Sequence, residues 1–236
     1  MTKNEFSTIG DYMLSCMNDG AHDGQHIYRV LYYALDIASY FELDKDVLIA
    51  SALLHDIGRS AQFQNQKLDH AVVGSEMAYE YRKGQKWSDE KAGHVKDCIC
   101  THRFRNDKEP VTIEAKILFD SDKLDATGTL GIARTLAYKG IVGEPLYSVS
   151  DEGNILDGKE DSKPSFFQEY HYKLKNVYER FFTKRAQEIA NERRMASISF
   201  YERMLNEVRS THEIGREKLN RSLESEVSND SNNKYQ

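Results

Sequence analysis

The sequence predicts an all-α fold on three grounds. Apolar residues recur at spacings of three and four in one segment after another, and no stretch alternates polar and apolar as a half-buried strand does. The only three prolines, Pro110, Pro145 and Pro164, leave the first 109 residues free of helix breakers. At 236 residues, with 39% hydrophobic and 30% charged side chains, the chain is long enough to bury a real core.

The elements follow in order. From His22 to Phe41, the positions Ile27, Val30, Leu31, Ala34, Leu35, Ala38 and Phe41 form one buried helix face. Asp44 is the expected N-cap of a second helix running through Val47, Leu48, Ala52 and Leu54 to a stop at Gly58, with His55 and Asp56 in its last turn. Asp69 or its neighbour opens a third, ended by Gly84, and Ser88 caps a fourth in which Ala92, Val95, Ile99 and His102 share a stripe. A fifth begins near Thr112 and runs into DSDKLDATG, where Ala115, Leu118 and Asp122 point the same way. A sixth spans residues 129–139. Residues 1–140 are therefore expected to form the core. Residues 141–165, rich in glycine and acid, read as a long loop and a candidate lid. Residues 166–210 return to helices, divided by an N-cap at Thr183, that pack on the core, and the polar tail 222–236 reads as disordered.

The composition excludes several function classes. A net charge of -6 and a pI near 5.8 argue against gripping nucleic acid by bulk electrostatics. A mean hydropathy of -0.68 and the absence of any run approaching ~18 apolar residues argue against a membrane partner. Cys16, Cys98 and Cys100 are odd in number and form no CxxC pair, so reduced, partly buried thiols are expected. The N-terminal MTKNEFSTIGDYMLS carries no basic-then-apolar signal pattern, and the expectation is a cytoplasmic protein.

Histidine is the informative residue. Six of the eight, His22, His26, His55, His70, His94 and His102, lie in the first 102 residues. Helix faces rarely turn imidazoles and carboxylates inward without a partner, because an unpaired ionisable group costs several kcal/mol away from water. His26 adjoins the first apolar stripe, His55-Asp56 ends an apolar helix, and Asp122 extends another stripe. Taken singly, a histidine at a helix C-terminus more often caps carbonyls than binds metal. Adjacency adds weight: His55 and Asp56 are about 100° apart around a helix and reach one ion only at a helix end, which Gly58 supplies. Imidazole and carboxylate together suit manganese, iron, cobalt, nickel or zinc, and no cysteine is needed. His22 and Asp23 read as a helix start, and His94 as an exposed mid-helix residue.

The segments HDGQHIYRV, LLHDIGR and LFDSDKLDATG carry, in order, His26, His55-Asp56 and Asp122. This ordered quartet resembles the H…HD…D signature of the HD-domain superfamily of metal-dependent phosphohydrolases, in particular its small stand-alone bacterial members. The likeness extends through IGIARTLAYKG into the aromatic C-terminal helices. The resemblance implies a helical HD bundle with additional C-terminal helices. It implies His26, His55, Asp56 and Asp122 as ligands of a divalent cation (manganese, cobalt, nickel, iron, zinc or magnesium). Asp122 is preferred over Asp120 and Asp125 because the family's last ligand directly precedes a basic residue and leucine, here Lys123-Leu124. Asp120 and Asp125 are then solvated or act behind the ligands. His70 and His102 stand where some members place ligands of a second metal; without one they would contact the phosphate, or His70 would cap its helix.

A cation with four protein ligands keeps positions for water and a phosphate oxygen, so no protein nucleophile is required. Arg59 and Lys123 are the candidate groups for the charge that develops on phosphate, and Arg59 also for binding substrate. Asp125 or Asp56 is a candidate to orient the attacking water. Arg103, Arg105 and Lys108 are candidates for a phosphate entrance. The leading expectation is hydrolysis of a phosphate ester or anhydride of a small metabolite, with a nucleotide implied by the family. A di-iron oxygenase and a non-catalytic nucleotide sensor are the alternatives. The C-terminal helices either pack on the domain or pair two copies as a homodimer.

Overall fold

In the computed structural model, residues 1–17, 24–103, 109–159 and 161–232 are described, with side chains through residue 224. Among them the secondary structure is helical, apart from an isolated antiparallel bridge between Val149 and Ile155. The chain divides into two compact units, residues 1–134 with 177–194, and residues 135–176 with 195–236. The boundary expected at residue 140 thus falls inside a helix, and residues 177–194 belong with the core unit.

The first unit opens with α1 (Lys3–Cys16), which the apolar pattern did not reveal because it buries only Ile9, Gly10 and Met13. Its start is fixed by a capping box: Thr2 Oγ1 accepts from Glu5 N, and Glu5 Oε2 accepts from Thr2 N at 2.7 Å. α2 (Gly24–Ala38), with His26 at its beginning, buries Ile27, Val30, Leu31, Ala34 and Ala38 of the expected stripe, whereas Leu35 is exposed and Phe41, also exposed, lies beyond the end of the helix. α3 (Lys45–Leu54) is capped by Asp44, which accepts from Asp46 N and Val47 N, and nearly every residue from Val47 to Leu54 is buried. The helix stops at Leu54 rather than Gly58. His55 to Gly58 form a turn, and a further helix, α4 (Arg59–Gln64), follows at once.

Gly58 matters through proximity. A Cβ there would lie 2.3 Å from the His70 carbonyl oxygen and 2.6 Å from Gly74 N, so only glycine lets α5 (His70–Gly84) pass so close to the turn that carries Asp56. Asp69, Ser88 and Thr112 cap α5, α6 (Asp89–Thr101) and α7 (Ile113–Leu124), as their sequences predict. The main core joins Ile27, Val30 and Leu31 of α2 to Leu53 and Leu54 of α3, Val95 and Ile99 of α6, and Leu118 of α7. A second cluster packs Ala34, Ile37, Leu48, Ile117 and Leu124 against Val177, Tyr178, Ala186 and Ile189.

α8 (Gly128–Val142) runs past the expected end at Lys139. α9 (Phe166–Glu169) passes into a π-helical turn at Tyr170–Leu174 and a 3-10 turn at Val177–Glu179. α10 spans Lys184–Asn232 behind Thr183, whose Oγ1 accepts from Ala186 N. The tail expected to be disordered is thus helical through Asn232. Its sequence contains no proline to break the helix that enters it from Lys184.

In the second unit, Tyr170 stacks on Tyr201 with centroids 4.0 Å apart, beside buried Phe166 and Phe167. The segment expected as a lid is tied down there. Tyr201 donates to the Asp157 carbonyl (2.5 Å), Arg209 to that of Ile155, and His212 and Arg216 to that of Gly153 (2.7 and 2.8 Å). The two histidines outside the first 102 residues also find partners here, His212 as above and His171 through its Nε2, which meets the Tyr201 hydroxyl at 2.9 Å.

Candidate metal centre

Four histidines converge on one carboxylate. His26 enters from the first turn of α2, His55 and Asp56 from the turn after α3, His70 from the start of α5, and His102 from the residue that caps α6. All five are buried. Asp56 Oδ2 lies 3.5 Å from both His26 Nε2 and His55 Nε2, while Oδ1 lies 3.4 Å from His70 Nε2 and 3.8 Å from His102 Nε2. Asp122, near the end of α7, adds Oδ1 at 3.3 Å from His26 Nε2 and 3.8 Å from His55 Nε2. Its side chain is partly open to solvent, giving the site a mouth.

Each imidazole is fixed from behind. His26 Nδ1 bonds to Asp125 Oδ2 at 2.7 Å, His55 Nδ1 to the Ala52 carbonyl at 2.8 Å, and His102 Nδ1 to the Ile99 carbonyl at 2.6 Å. His70 Nδ1 meets Gln62 Oε1 at 2.6 Å, closer than its 3.2 Å approach to Arg103 Nη1, so the amide oxygen takes its proton. An acceptor on every Nδ1 places the lone pair on Nε2, the tautomer a metal-ligating histidine needs. All four Nε2 atoms face Asp56.

Asp56 Oδ1, His70 Nε2 and His102 Nε2 are buried with no hydrogen-bond partner among the described residues. Such atoms are costly unless something else meets them. One donor atom from each of His26, His55 and Asp56 lies within 4.8 Å of the others, and the same holds for Asp56, His70 and His102. The donor set fits divalent cations, with Asp56 shared between two groups.

The charges are uneven. Burial opposes a proton on His26, but Asp122, Asp125 and Asp56 around it outweigh burial and push its pKa up to about 10. Burial would raise the Asp56 carboxyl, yet Arg59, His55 and His26 hold it well below the ordinary range, and Asp122 is lowered against burial mainly by His26. His102 moves the opposite way: burial, then His55, takes it down to about 3, and burial also lowers His70. With three carboxylates about it, His26 carries a proton where a cation fits.

Among the other expected site residues, Arg59 reaches the cluster, with Nε 2.5 Å from Asp56 Oδ2. Lys123 does not. It donates to the Arg180 carbonyl at 2.5 Å and lies over the rings of Phe119 and Phe181, because adjacent residues on a helix diverge by about 100°. Burial lowers its pKa to about 8. Asp120 and Asp125 are both buried rather than solvated. Asp120 accepts from Phe182 N, Thr183 N and Thr183 Oγ1, whereas Asp125 stands behind His26 and also takes Arg29 Nε at 2.7 Å and Arg134 Nη1 at 2.5 Å. Neither is placed to orient a water in front of the donors. His94 is half-buried, its Nε2 3.0 Å from Thr112 Oγ1 and 3.3 Å from Glu114 Oε2. His22, Asp23, Arg105 and Lys108 lie outside the described residues. Arg29, Arg134 and Gln62 are the site residues that sequence reasoning missed, and no local motif marks them. No disulfide joins the three cysteines, and burial pushes the Cys98 thiol up to about 12, so this thiol offers the cation no thiolate.

The family model described as HD domain matches residues 23–127, the segment that holds every donor above. Residues 23–127 of the chain belong to the HD-domain superfamily. A solved structure of a predicted HD superfamily hydrolase from an uncultured Thermotogales bacterium is 27% identical, with a TM-score of 0.57, covering 87% of this chain and 92% of that one. YpgQ of Bacillus subtilis is 26% identical over 202 residues, 85% of this chain and 92% of YpgQ. The crystal structure of YpgQ in complex with ADP, 24% identical with a TM-score of 0.66 over 86% of this chain and 97% of that one, shares the fold of this HD protein. No helix among the described residues is long and apolar enough to cross a membrane.

Proposed function

We propose that this HD protein is a metal-dependent phosphohydrolase that cleaves a phosphate ester or anhydride of a nucleotide. The observation that carries the reading is the convergence of four Nε2 atoms and the carboxylates of Asp56 and Asp122. A first cation is assigned to His26, His55, Asp56 and Asp122, and a second to His70, His102 and the remaining oxygen of Asp56. A divalent cation on such donors acidifies water and withdraws charge from a phosphoryl oxygen. The chain's part is to hold and surround: Asp125 keeps His26 in its ligating tautomer, Asp56 ties the two donor groups together, and Arg59 offers positive charge beside them. Arg29 and Arg134 meet Asp125 behind His26, and Arg103 approaches His70 directly, positive charge near the donors that suits an anionic substrate. The same charge favours hydrolysis of phosphate over oxygen chemistry on a neutral substrate. The relatives described as hydrolases and the binding of ADP by YpgQ support the nucleotide reading.

Phosphate release from a panel of nucleotides under manganese, cobalt and magnesium tests the proposal. Turnover that disappears with Asp56→Ala, together with metal retention, is expected. Two irons with oxygen consumption and no phosphate release would establish the oxygenase instead, and nucleotide binding without turnover under any metal would establish a sensor.

A further inference from the structure

Helix α4, which sends Arg59 and Gln62 to the metal donors, also carries a largely exposed aromatic ring. Arg59, Gln62 and Phe63 stand at spacings of three and four, one side of a helix. Two of them already reach donor residues: Arg59 Nε bonds to Asp56 Oδ2, and Gln62 Oε1 to His70 Nδ1. Gln62 is further held by its Nε2 bond to the Leu68 carbonyl at 2.8 Å, so the face is fixed in orientation. Phe63 is 68% exposed, against 38% for Phe41 and Phe200 and 0% for Phe166 and Phe167, so core packing does not account for it. A single exposed apolar residue is ordinary on a protein surface. This one lies four residues beyond Arg59, ~6 Å along the helix, a distance comparable with the span of a ribose between phosphate and base.

We propose that Phe63 is the stacking platform for the base of the nucleotide whose phosphate faces Arg59 and the metal donors. The inference rests on the nucleotide hydrolase reading and adds a specificity-determining residue to it. Stacking on an aromatic ring is tolerant of base identity, because every base has a π-face. The site therefore selects nucleotides over base-free phosphates without selecting strongly among purines and pyrimidines.

The test is a comparison of substrates in the full-length, metal-loaded protein. Phe63→Ala is expected to raise KM for a nucleoside phosphate by about tenfold or more, with kcat changed far less, and to leave KM for a base-free alkyl phosphate where it was. Phe63→Tyr is expected to restore the nucleotide KM. Phe63→Trp provides a readout apart from turnover, since the chain has one other tryptophan: adenosine monophosphate should quench the new fluorescence and inorganic phosphate should not. An active enzyme whose nucleotide KM is indifferent to Phe63→Ala overturns the stacking proposal and leaves the hydrolase intact. If the wild type hydrolyses no phosphate compound, the hydrolase reading fails, and Phe63 is then judged by fluorescence alone: quenching by adenosine monophosphate sustains the platform, and its absence overturns it.

Discussion

On one side of Asp56, Oδ2 faces His26 and His55 among Asp122, Asp125, Arg29 and Arg59; on the other, Oδ1 faces His70 and His102, with no second carboxylate within 4 Å of them among the described residues. Both sides are built from buried imidazoles with Nδ1 occupied, yet they titrate in opposite directions, His26 up to about 10 and His102 down to about 3. The difference lies in the carboxylates. The first side carries more negative charge than its imidazoles answer, so it holds a proton or a metal. The second offers only neutral lone pairs and one shared oxygen. The first side should accordingly bind a cation more tightly, and the second should fill only when Asp56 has charge to share.

The largest effect expected of any single change comes at the shared residue. Asp56→Ala should strip metal from both sides and lower turnover by about 10³-fold or more, as read by metal analysis and phosphate release. Asp125→Asn should distinguish the sides: replacing the carboxylate behind His26 by a neutral amide weakens first-side metal affinity by about 10- to 100-fold, while His70 and His102 keep their own supports. Metal titration would show one binding step displaced and the other not.

The proton on His26 gives a third contrast. Its raised pKa means that a metal-free protein near pH 7 carries the proton, and filling the first side must expel it. Calorimetry in two buffers of different ionisation enthalpy should find about one proton released by the first cation. For the metal-free protein, a raised folded pKa means the stabilisation from protonated His26 is fully present below about 6.5 and is lost as pH rises through about 10. Thermal melts in chelator between pH 7 and 10.5 should show this as a falling Tm. His102, taken down to about 3, contributes no such loss in that range.

The smallest effect on the centre is expected from Asp120→Asn, only two residues before Asp122. It should cost about 1–3 kcal/mol of stability through weakened bonds to Phe182 and Thr183, while metal content stays unchanged.

These neighbours also mark where sequence reasoning reached its limit. The helices around the donors were legible because their apolar stripes and caps are local: Asp44, Asp69, Ser88 and Thr112 each bond within three residues. The ligand roles of His26, His55, Asp56 and Asp122 needed the family pattern, since spacing turns Asp122 toward the apolar face without making it a ligand. What Asp120 and Asp125 do depends on partners 62 and 99 residues away, which no local signal encodes. Lys123 misled for the converse reason, being adjacent to Asp122 in sequence but turned toward Arg180 in space. Helix α4, six residues long, is too short for a periodic stripe, and with it Gln62 and the role of Phe63 went unseen.

The central claim, that Asp56 joins two cation positions, is tested most directly by counting manganese in the purified protein against the His70→Ala/His102→Ala double variant. The account predicts two ions per chain in the wild type and one in the variant. A single ion in both would contradict it and return His70 and His102 to the substrate phosphate.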